Sequence, residues 1–410
     1  MNVNIIKQAL TSTPTLVGTV KAPPSKSMAH RLLICGALAS GSSSISNVSY
    51  SDDILATLDL LTGLGADCRA SADTVTVTGF DPSRSAPRFP LDSRECGSSL
   101  RFILPLCLLS GNEITVVGSE RLFSRPLDAY ELICREQGLV FKKGARSITI
   151  RGRLHGGRIS VRGDVSSQFI SGLLFALPLC AEDSVLSVVP PFESRSYVDL
   201  TLRALNIFGI KIIVKDPFTY IIKGNQTYKP VSFAVEGDYS SAAFFYALAH
   251  LGHDVSVTGL DPDSLQGDKI CTEYFARLER GAPTLDISDC PDLGPILMAL
   301  AAVKHGATLV GTRRLSLKES DRGRAMAEEL AKFGVPVEVE EDRIEIRAAR
   351  LCEPTLPLCS HNDHRIAMSL AVLATITGGK LEGAEAVSKS LPEFFDIMRS
   401  LGMKATVYEA

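Results

Sequence analysis

Four things are scarce or missing in this chain of 410 residues, and each narrows what it can be. Its ten cysteines form no Cys-x-x-Cys pair, and most stand inside apolar runs; they read as reduced core thiols, with neither disulfide staples nor a zinc site expected. Apolar runs of membrane-spanning length are absent, because polar or small residues interrupt every one of them, even though 45% of the residues are hydrophobic. There is no excess of positive charge: 43 Lys and Arg against 46 Asp and Glu leave a net charge of -3, which argues against broad nucleic-acid binding. Residues 1–20 lack the basic, apolar, small-residue order of a targeting signal and contain no arginine, so secretion or organelle import is not expected. What remains is a cytosolic globular chain with material for two or three domains.

What is present is a sentence written six times. Pro24-Ser25-Lys26-Ser27-Met28-Ala29-His30-Arg31, the apolar run Leu32 to Ala39 and Gly41 mark a helix at both ends, with cations at the end where the macrodipole and unpaired N–H groups favour anions. Counterparts start at Gly97-Ser98-Ser99-Leu100-Arg101, Val165-Ser166-Ser167-Gln168, Tyr239-Ser240-Ser241, Pro291-Asp292 and Asn362-Asp363-His364-Arg365. Aligning Ser27, Ser99, Ser167, Ser241, Asp292 and Asp363 gives spacings of 72, 68, 74, 51 and 71, an internal repeat near 70.

Each of these helices is apolar nearly all round and is expected to be buried. A short strand, a polar loop, an amphipathic helix and a strand pair follow, with second helices read at Asp52 to Leu64, Leu127 to Gln137, Tyr197 to Phe208, Asp268 to Leu278, Ser320 to Phe333 and Leu391 to Leu401. The fold class expected is α/β, in two domains of three βαβαββ repeats with buried parallel helices, the fifth repeat shortened by about 20 residues because only one strand fits between Arg280 and Asp292. A strand over Asn4 to Thr19 is expected to close the last sheet. That places the domains at residues 22–233 and at 1–21 plus 234–410, with crossovers near Lys21 and Ala234.

The unusual polar residues fall at the start of the buried helix and in the loop entering the second helix, two places at the same end of each unit. The first place holds Lys26, Ser27, Arg31, Arg101, Ser166, Ser167, Gln168, Asp238, Asp292, Asp363 and Arg365; the second holds Asp53, Arg121, Arg125, Ser194, Tyr197, Lys318, Glu319, Arg322 and Lys389. Such ends would focus positive potential on a polyanionic ligand. Ser240, Ser241 and Asp363 read first as helix caps, Arg121 as a solvated or paired loop residue, and Cys96 as an inert thiol. His361 and His364 lack the further cluster a metal would need. Lys318-Glu319-Ser320-Asp321-Arg322 is different, since four ionisable residues in five exceed what capping requires; a carboxylate between cations can hold a proton donor or acceptor beside an anionic substrate.

At these residues, along the whole chain and in order, the sequence resembles the 5-enolpyruvylshikimate-3-phosphate synthase family of enolpyruvyl transferases: Pro24-Ser25-Lys26-Ser27, Arg125-Pro126, Ser166-Ser167-Gln168-Phe169, Gly237-Asp238-Tyr239-Ser240-Ser241, Lys318-Glu319-Ser320-Asp321-Arg322, Asp363-His364-Arg365 and Lys389-Ser390. The resemblance implies two domains of three repeats. It also implies transfer of the enolpyruvyl group of phosphoenolpyruvate to the 5-hydroxyl of shikimate 3-phosphate through a tetrahedral intermediate, without metal or organic cofactor.

By the same resemblance Asp292 takes the hydroxyl proton, Glu319 handles the methylene proton and Lys26 shares in catalysis. Lys26, Gly97, Arg125, Gln168 and Lys389 surround the phosphate of phosphoenolpyruvate, and Arg322 and Arg365 grip its carboxylate. Ser27, Arg31, Ser166, Ser167, Gln168, Ser194, Tyr197, Asp292 and Lys318 hold shikimate 3-phosphate. No nucleic acid or membrane is a partner, and a monomer is expected. The chain departs from the family pattern at Glu95-Cys96, Phe102 and Arg314-Leu315-Ser316. Two alternatives stand beside this reading. One is the sister transferase acting on UDP-N-acetylglucosamine, which typically has Lys-Asn at the first helix and a cysteine in the loop matching Ser119 to Pro126. The other is a non-catalytic anion-binding scaffold, which has no need of Asp292 and Glu319.

Overall fold

Alternating residues at the start of the chain make two short strands, β1 (Asn2–Ile5) and β2 (Val17–Lys21), in a computed structural model that describes residues 1–6 and 16–408. The single strand expected over Asn4 to Thr19 is thereby corrected. β1 and β2 belong to different sheets, and the rest of that stretch lies outside the described residues. The chain separates into two units with their own cores, residues 26–236 and residues 1–25 with 237–410.

In residues 26–236 the same unit occurs three times. The first has α1 (Lys26–Leu38), β3 (Ser42–Ser46), α2 (Asp52–Leu64), β4 (Asp67–Ser71) and β5 (Thr74–Thr78). Its helices end where the residues say they should. Ser51 caps α2 by accepting from the Ile54 N–H, Asp52 and Asp53 occupy the positive first turn, and Gly65 closes it at φ 125° with its N–H on Leu61 and Thr62 carbonyls. The second unit has β6 (Leu91–Asp92), α3 (Gly97–Cys107), β7 (Ile114–Val117), α4 (Glu120–Ser124), α5 (Asp128–Glu136), β8 (Val140–Lys143) and β9 (Ser147–Arg151). The third has β10 (Gly157–Arg162), α6 (Ser167–Ala176), β11 (Ser184–Val189), α7 (Arg195–Ile207), β12 (Ile212–Asp216) and β13 (Thr219–Ile222); β14 (Ser232–Ala234) follows it.

The sheets run β14-β3-β5-β4, β6-β7-β9-β8 and β10-β11-β13-β12: a parallel leading strand, then an antiparallel hairpin. β14, from the end of the unit, leads the first sheet. Helices α1, α3 and α6 are covered on nearly every side; Met28 to Leu38 of α1 are all buried.

The other unit contains α8 (Tyr239–His250), β15 (Asp254–Thr258), α9 (Cys271–Arg280), β16 (Thr284–Asp286), α10 (Gly294–Val303), β17 (Ala307–Val310), α11 (Arg322–Lys332), β18 (Val337–Val339) and β19 (Arg343–Ile346). It ends with β20 (Leu358–Cys359), α12 (His364–Thr377), β21 (Gly379–Glu382), α13 (Phe394–Ser400) and β22 (Ala405–Tyr408). Its sheets are β15-β2, β16-β17-β19-β18 and β20-β21-β1-β22. β1 does close the last sheet, lying antiparallel between β21 and β22, while β2 runs parallel to β15.

The shortened repeat is corrected in place. The fifth, around α10, has its full four-stranded sheet, and the two-stranded sheet belongs to the fourth, around α8. The reason is that the 51-residue interval runs forward from Ser241, so what is missing is the hairpin after α9, where only Gly281 to Pro283 separate that helix from β16. Among the described residues no helix is long and apolar enough to cross a membrane. All ten cysteines are free; Cys352 and Cys359 are exposed, and the remainder are buried or half-buried.

Candidate active site

Each unit gathers its charged groups at helix starts. In residues 26–236, Lys26 is the first residue of α1 and its Nζ lies 2.6 Å from Asp53 Oδ2 in the first turn of α2. Behind this pair runs a buried polar chain. His30 Nδ1 is 2.7 Å from Thr57 Oγ1, Thr57 Oγ1 is 2.6 Å from Ser99 Oγ, and the Ser99 hydroxyl donates to Cys96 Sγ at 2.9 Å, which ties α1, α2 and α3 together. Burial pushes His30 down to about 3, so its ring is neutral. Burial and the neighbouring Asp53 carboxylate push the Cys96 thiol up to about 12, although Lys26 opposes them. Cys96 is therefore an inert thiol; it caps α3 by accepting from the Ser99 N–H.

Gly97 stands at the start of α3 because two guanidinium groups crowd it. A Cβ there would lie 2.6 Å from Arg125 Nη1 and 3.0 Å from Arg101 Nη1. Arg101 Nη1 donates to Gln168 Oε1 at 2.8 Å, and Gln168 Nε2 donates to Ser98 Oγ at 2.8 Å, so the starts of α3 and α6 are joined. Arg101 also rests over the Phe169 ring. Ser166 caps α6 and the neighbouring Ser167 is buried; Ser194 precedes α7 in a left-handed conformation, φ 52°.

Arg31 is 2% exposed, and its donors go to the Ser27 carbonyl at 2.6 Å, the Tyr197 carbonyl at 2.8 Å and Thr201 Oγ1 at 2.8 Å. It lies over Phe102, the residue at one departure from the family pattern, and burial lowers it to about 10. Ser27, Arg31 and Tyr197 are thus brought together, with Arg31 fixing the backbone of the other two.

In the other unit Asp292, in a short helical turn before α10, collects three cations. Its Oδ1 accepts from Lys318 Nζ at 3.1 Å and Arg322 Nη1 at 2.8 Å, and its Oδ2 from Arg365 Nη2 at 3.3 Å. Burial works to raise this carboxyl, but Lys318, Arg365 and Arg322 outweigh it and hold the group well below the usual carboxylate range. Glu319 Oε2 lies 2.8 Å from His364 Nδ1 and Oε1 is 3.9 Å from Arg322 Nη2. Asp363 caps α12 through the Arg365 N–H, as read, and also receives Arg322 Nε at 2.8 Å and the Ser320 hydroxyl at 3.0 Å. Arg365 Nη1 reaches the Ser240 carbonyl at 3.4 Å, and Lys389 Nζ donates to the Asn362 carbonyl at 2.7 Å. Burial lowers Lys318 to about 8 despite Asp292.

One titratable neighbour went unread in the sequence. Asp268, in the turn before α9, is buried, and burial with the charge of Asp292 pushes it up to about 7. Nothing in its local sequence marks it, because the charge that raises it stands 24 residues further on.

Among the described residues, two clusters each bring three possible cation ligands within 4.8 Å: His30, Asp53 and Cys96, and Glu319, Asp363 and His364. In each, a protein cation already takes a carboxylate, Lys26 on Asp53 and Arg322 on Asp363. The arrangement is suited instead to proton transfer from fixed carboxylates among donors aimed at anionic oxygens.

Comparison with known proteins gives the family. Residues 10–398 match the family model described as EPSP synthase (3-phosphoshikimate 1-carboxyvinyltransferase). A curated relative of that name from Clostridium kluyveri is 42% identical over 409 residues, covering 94% of this chain and 95% of the relative. Another, from Clostridioides difficile, is 38% identical over 417 residues, with 94% and 95% covered. Among solved structures, EPSP synthase from Acinetobacter baumannii superposes over 100% of both chains with a TM-score of 0.78 at 22% identity, a likeness of fold.

Proposed function

The chain belongs to the EPSP synthase family, and we propose that its charged helix starts carry out that family's reaction. It is an enolpyruvyl transferase of the shikimate pathway, on the route to aromatic amino acids, moving the enolpyruvyl group of phosphoenolpyruvate to the 5-hydroxyl of shikimate 3-phosphate with release of phosphate. The hydroxyl oxygen adds to C2 of phosphoenolpyruvate while C3 gains a proton. The tetrahedral adduct then loses phosphate and a C3 proton, which restores the C2–C3 double bond and leaves the enol ether of the product.

The observation that carries the residue assignment is Asp292, ionised among Lys318, Arg322 and Arg365 and in the same unit as the Glu319–His364 pair. Asp292 accepts the hydroxyl proton. Its basicity is low while three cations lean on it and rises when substrate anions draw Lys318, Arg322 and Arg365 to themselves. Glu319, oriented by His364, delivers and recovers the C3 proton. Arg322 and Arg365 offer forked donors to the carboxylate of phosphoenolpyruvate. Lys26, the Gly97 N–H, Arg125, Gln168 and Lys389 serve its phosphate, with Lys26 also stabilising charge as the phosphate leaves. Ser27, Ser166, Ser167, Gln168, Ser194, Tyr197, Asp292 and Lys318 hold shikimate 3-phosphate, with Arg31 setting the backbone of Ser27 and Tyr197. The protein acts in the cytoplasm as a monomer.

The test is phosphate release from phosphoenolpyruvate with shikimate 3-phosphate as acceptor, run beside UDP-N-acetylglucosamine. Release only with the second acceptor would overturn this reading in favour of the sister transferase, and release with neither would favour a binding scaffold. Glu319→Gln and Lys26→Ala are each expected to cut turnover at least about a hundredfold. Near-normal rates in either would mean that its role is misassigned.

A further inference from the structure

Helix α11 holds an anion that the reaction, as assigned, leaves without a task. The side chain of Glu329 is 2% exposed and its carboxylate is fully engaged. Oε1 accepts from Lys332 Nζ at 2.9 Å and lies 3.0 Å from His361 Nε2; Oε2 accepts from Lys332 Nζ at 2.8 Å and from the Cys359 backbone N–H at 2.9 Å. Lys332 also donates to the Pro357 carbonyl at 2.8 Å. One buried carboxylate and its lysine thereby gather residues 357, 359 and 361 onto α11.

The chain next makes an unfavourable bend. His361 and Asn362 both sit at positive φ, 51° and 53°, a left-handed conformation uncommon for residues with a Cβ, although Asn and His adopt it more readily than most, and two such residues in succession call for contacts that hold them. The bend has two products. It presents the Asn362 carbonyl to Lys389 Nζ at 2.7 Å, and it brings Asp363 to the cap of α12 just before His364 and Arg365. Helix α11 thus grips the bend from both sides, through Glu329 on residues 359 and 361 and through Arg322 on Asp363.

We propose that Glu329 is a positioning residue for the phosphate of phosphoenolpyruvate: it braces the bend at residues 359–362 so that the Asn362 carbonyl holds the Lys389 ammonium in place. This rests on the assignment of Lys389 to that phosphate. Glu329 acts without touching substrate, through its bonds to residues 359 and 361 and from there through the Asn362 carbonyl to Lys389.

The experiment is steady-state kinetics on the full chain with Glu329→Gln, which keeps the size of the side chain and removes the charge that orders Lys332 and His361. KM for phosphoenolpyruvate is expected to rise about tenfold, the scale of one charge-assisted bond, while kcat and KM for shikimate 3-phosphate stay within about twofold. Lys389→Met should raise KM for phosphoenolpyruvate as well, and the double variant should be no worse than Lys389→Met alone, because both act on one interaction. Amide exchange in residues 358–363 should be faster in Glu329→Gln.

A parallel rise in both KM values, or unchanged kinetics, overturns the proposal. The two layers separate cleanly. Normal phosphoenolpyruvate binding in Lys389→Met removes the phosphate assignment and the proposal with it, whereas impaired binding there with normal binding in Glu329→Gln removes the proposal alone. Should Glu329→Gln fail to fold, His361→Ala removes one arm of the brace from a half-buried position. A rise of about threefold in KM for phosphoenolpyruvate only would then support the proposal, and no rise would overturn it.

Discussion

Gly97 and Lys318 show how single residues set the chemistry. Adding one methyl at Gly97 places a carbon 2.6 Å from Arg125 Nη1, so the guanidinium has to move. Gly97→Ala is therefore expected to raise KM for phosphoenolpyruvate about tenfold, with KM for shikimate 3-phosphate little changed, as initial-rate kinetics would reveal. Lys318 is lowered by burial from 10.5 to about 8, which separates activity from stability. Below about 8 the ammonium is present and can donate to Asp292 or to substrate; above it the charge is lost. Turnover per KM for shikimate 3-phosphate should thus fall as pH rises through about 8, and Lys318→Arg should shift that limb to higher pH. Stability moves the other way. The unfolded chain holds the proton up to 10.5, so between about 8 and 10.5 this residue makes the fold more stable as pH rises, visible as a rising urea midpoint relative to Lys318→Met. A midpoint difference that falls over that interval would contradict the assignment.

Between elements, the decisive contacts are made by arginines that act as pins. Arg322 at the start of α11 binds Asp363 at the cap of α12 and Asp292 before α10, with 2% of its side chain exposed. Arg31 does the same for α1 and α7 through carbonyls and Thr201. Removing one partner of a buried ionic cluster leaves its counter-charges unpaired, so Arg322→Met is expected to cost about 3–5 kcal/mol in urea unfolding at neutral pH. A cost below about 1 kcal/mol would place Arg322 among weak surface pairs and against this role. The short sheet β15-β2 illustrates a second feature of this level: an element can lose its hairpin and remain, because α8 stays covered through Phe244, Phe245 and Leu248 in the common core.

At the scale of the whole molecule, the two units differ in how the chain builds them. Residues 26–236 are continuous, and one core runs from Met28 to Val235. The other unit needs residues 1–25 to supply β1 and β2 to its sheets. An isolated segment of residues 26–236 is accordingly expected to fold alone with a single cooperative urea transition, whereas residues 237–410 without residues 1–25 should not, since the last sheet would lose the strand between β21 and β22. A gradual, non-cooperative transition in the 26–236 segment would show that its core depends on the rest of the chain.

Local sequence alone determined the strand–helix alternation, the sixfold repeat, the inventory of cations and carboxylates, and the helix starts to within a few residues. Helices read from Asp268, Ser320 and Leu391 begin at Cys271, Arg322 and Phe394, and the cap read at Ser240 and Ser241 is Asp238, which accepts from the Ser241 N–H. Caps, turn glycines and apolar periodicity act over a few residues, so α2 ended where Ser51 and Gly65 placed it. Asp363 was legible as a cap for the same reason, and the ordered motifs were enough to reach the family. Tertiary structure decided partners and membership. It joined Arg322 to Asp363 across 41 residues and split the opening strand between two sheets. It also raised Asp268 beside Asp292 and set Glu329 under the bend at His361 and Asn362. Charge pairing and strand order depend on which distant elements pack together, and no local spacing encodes that choice.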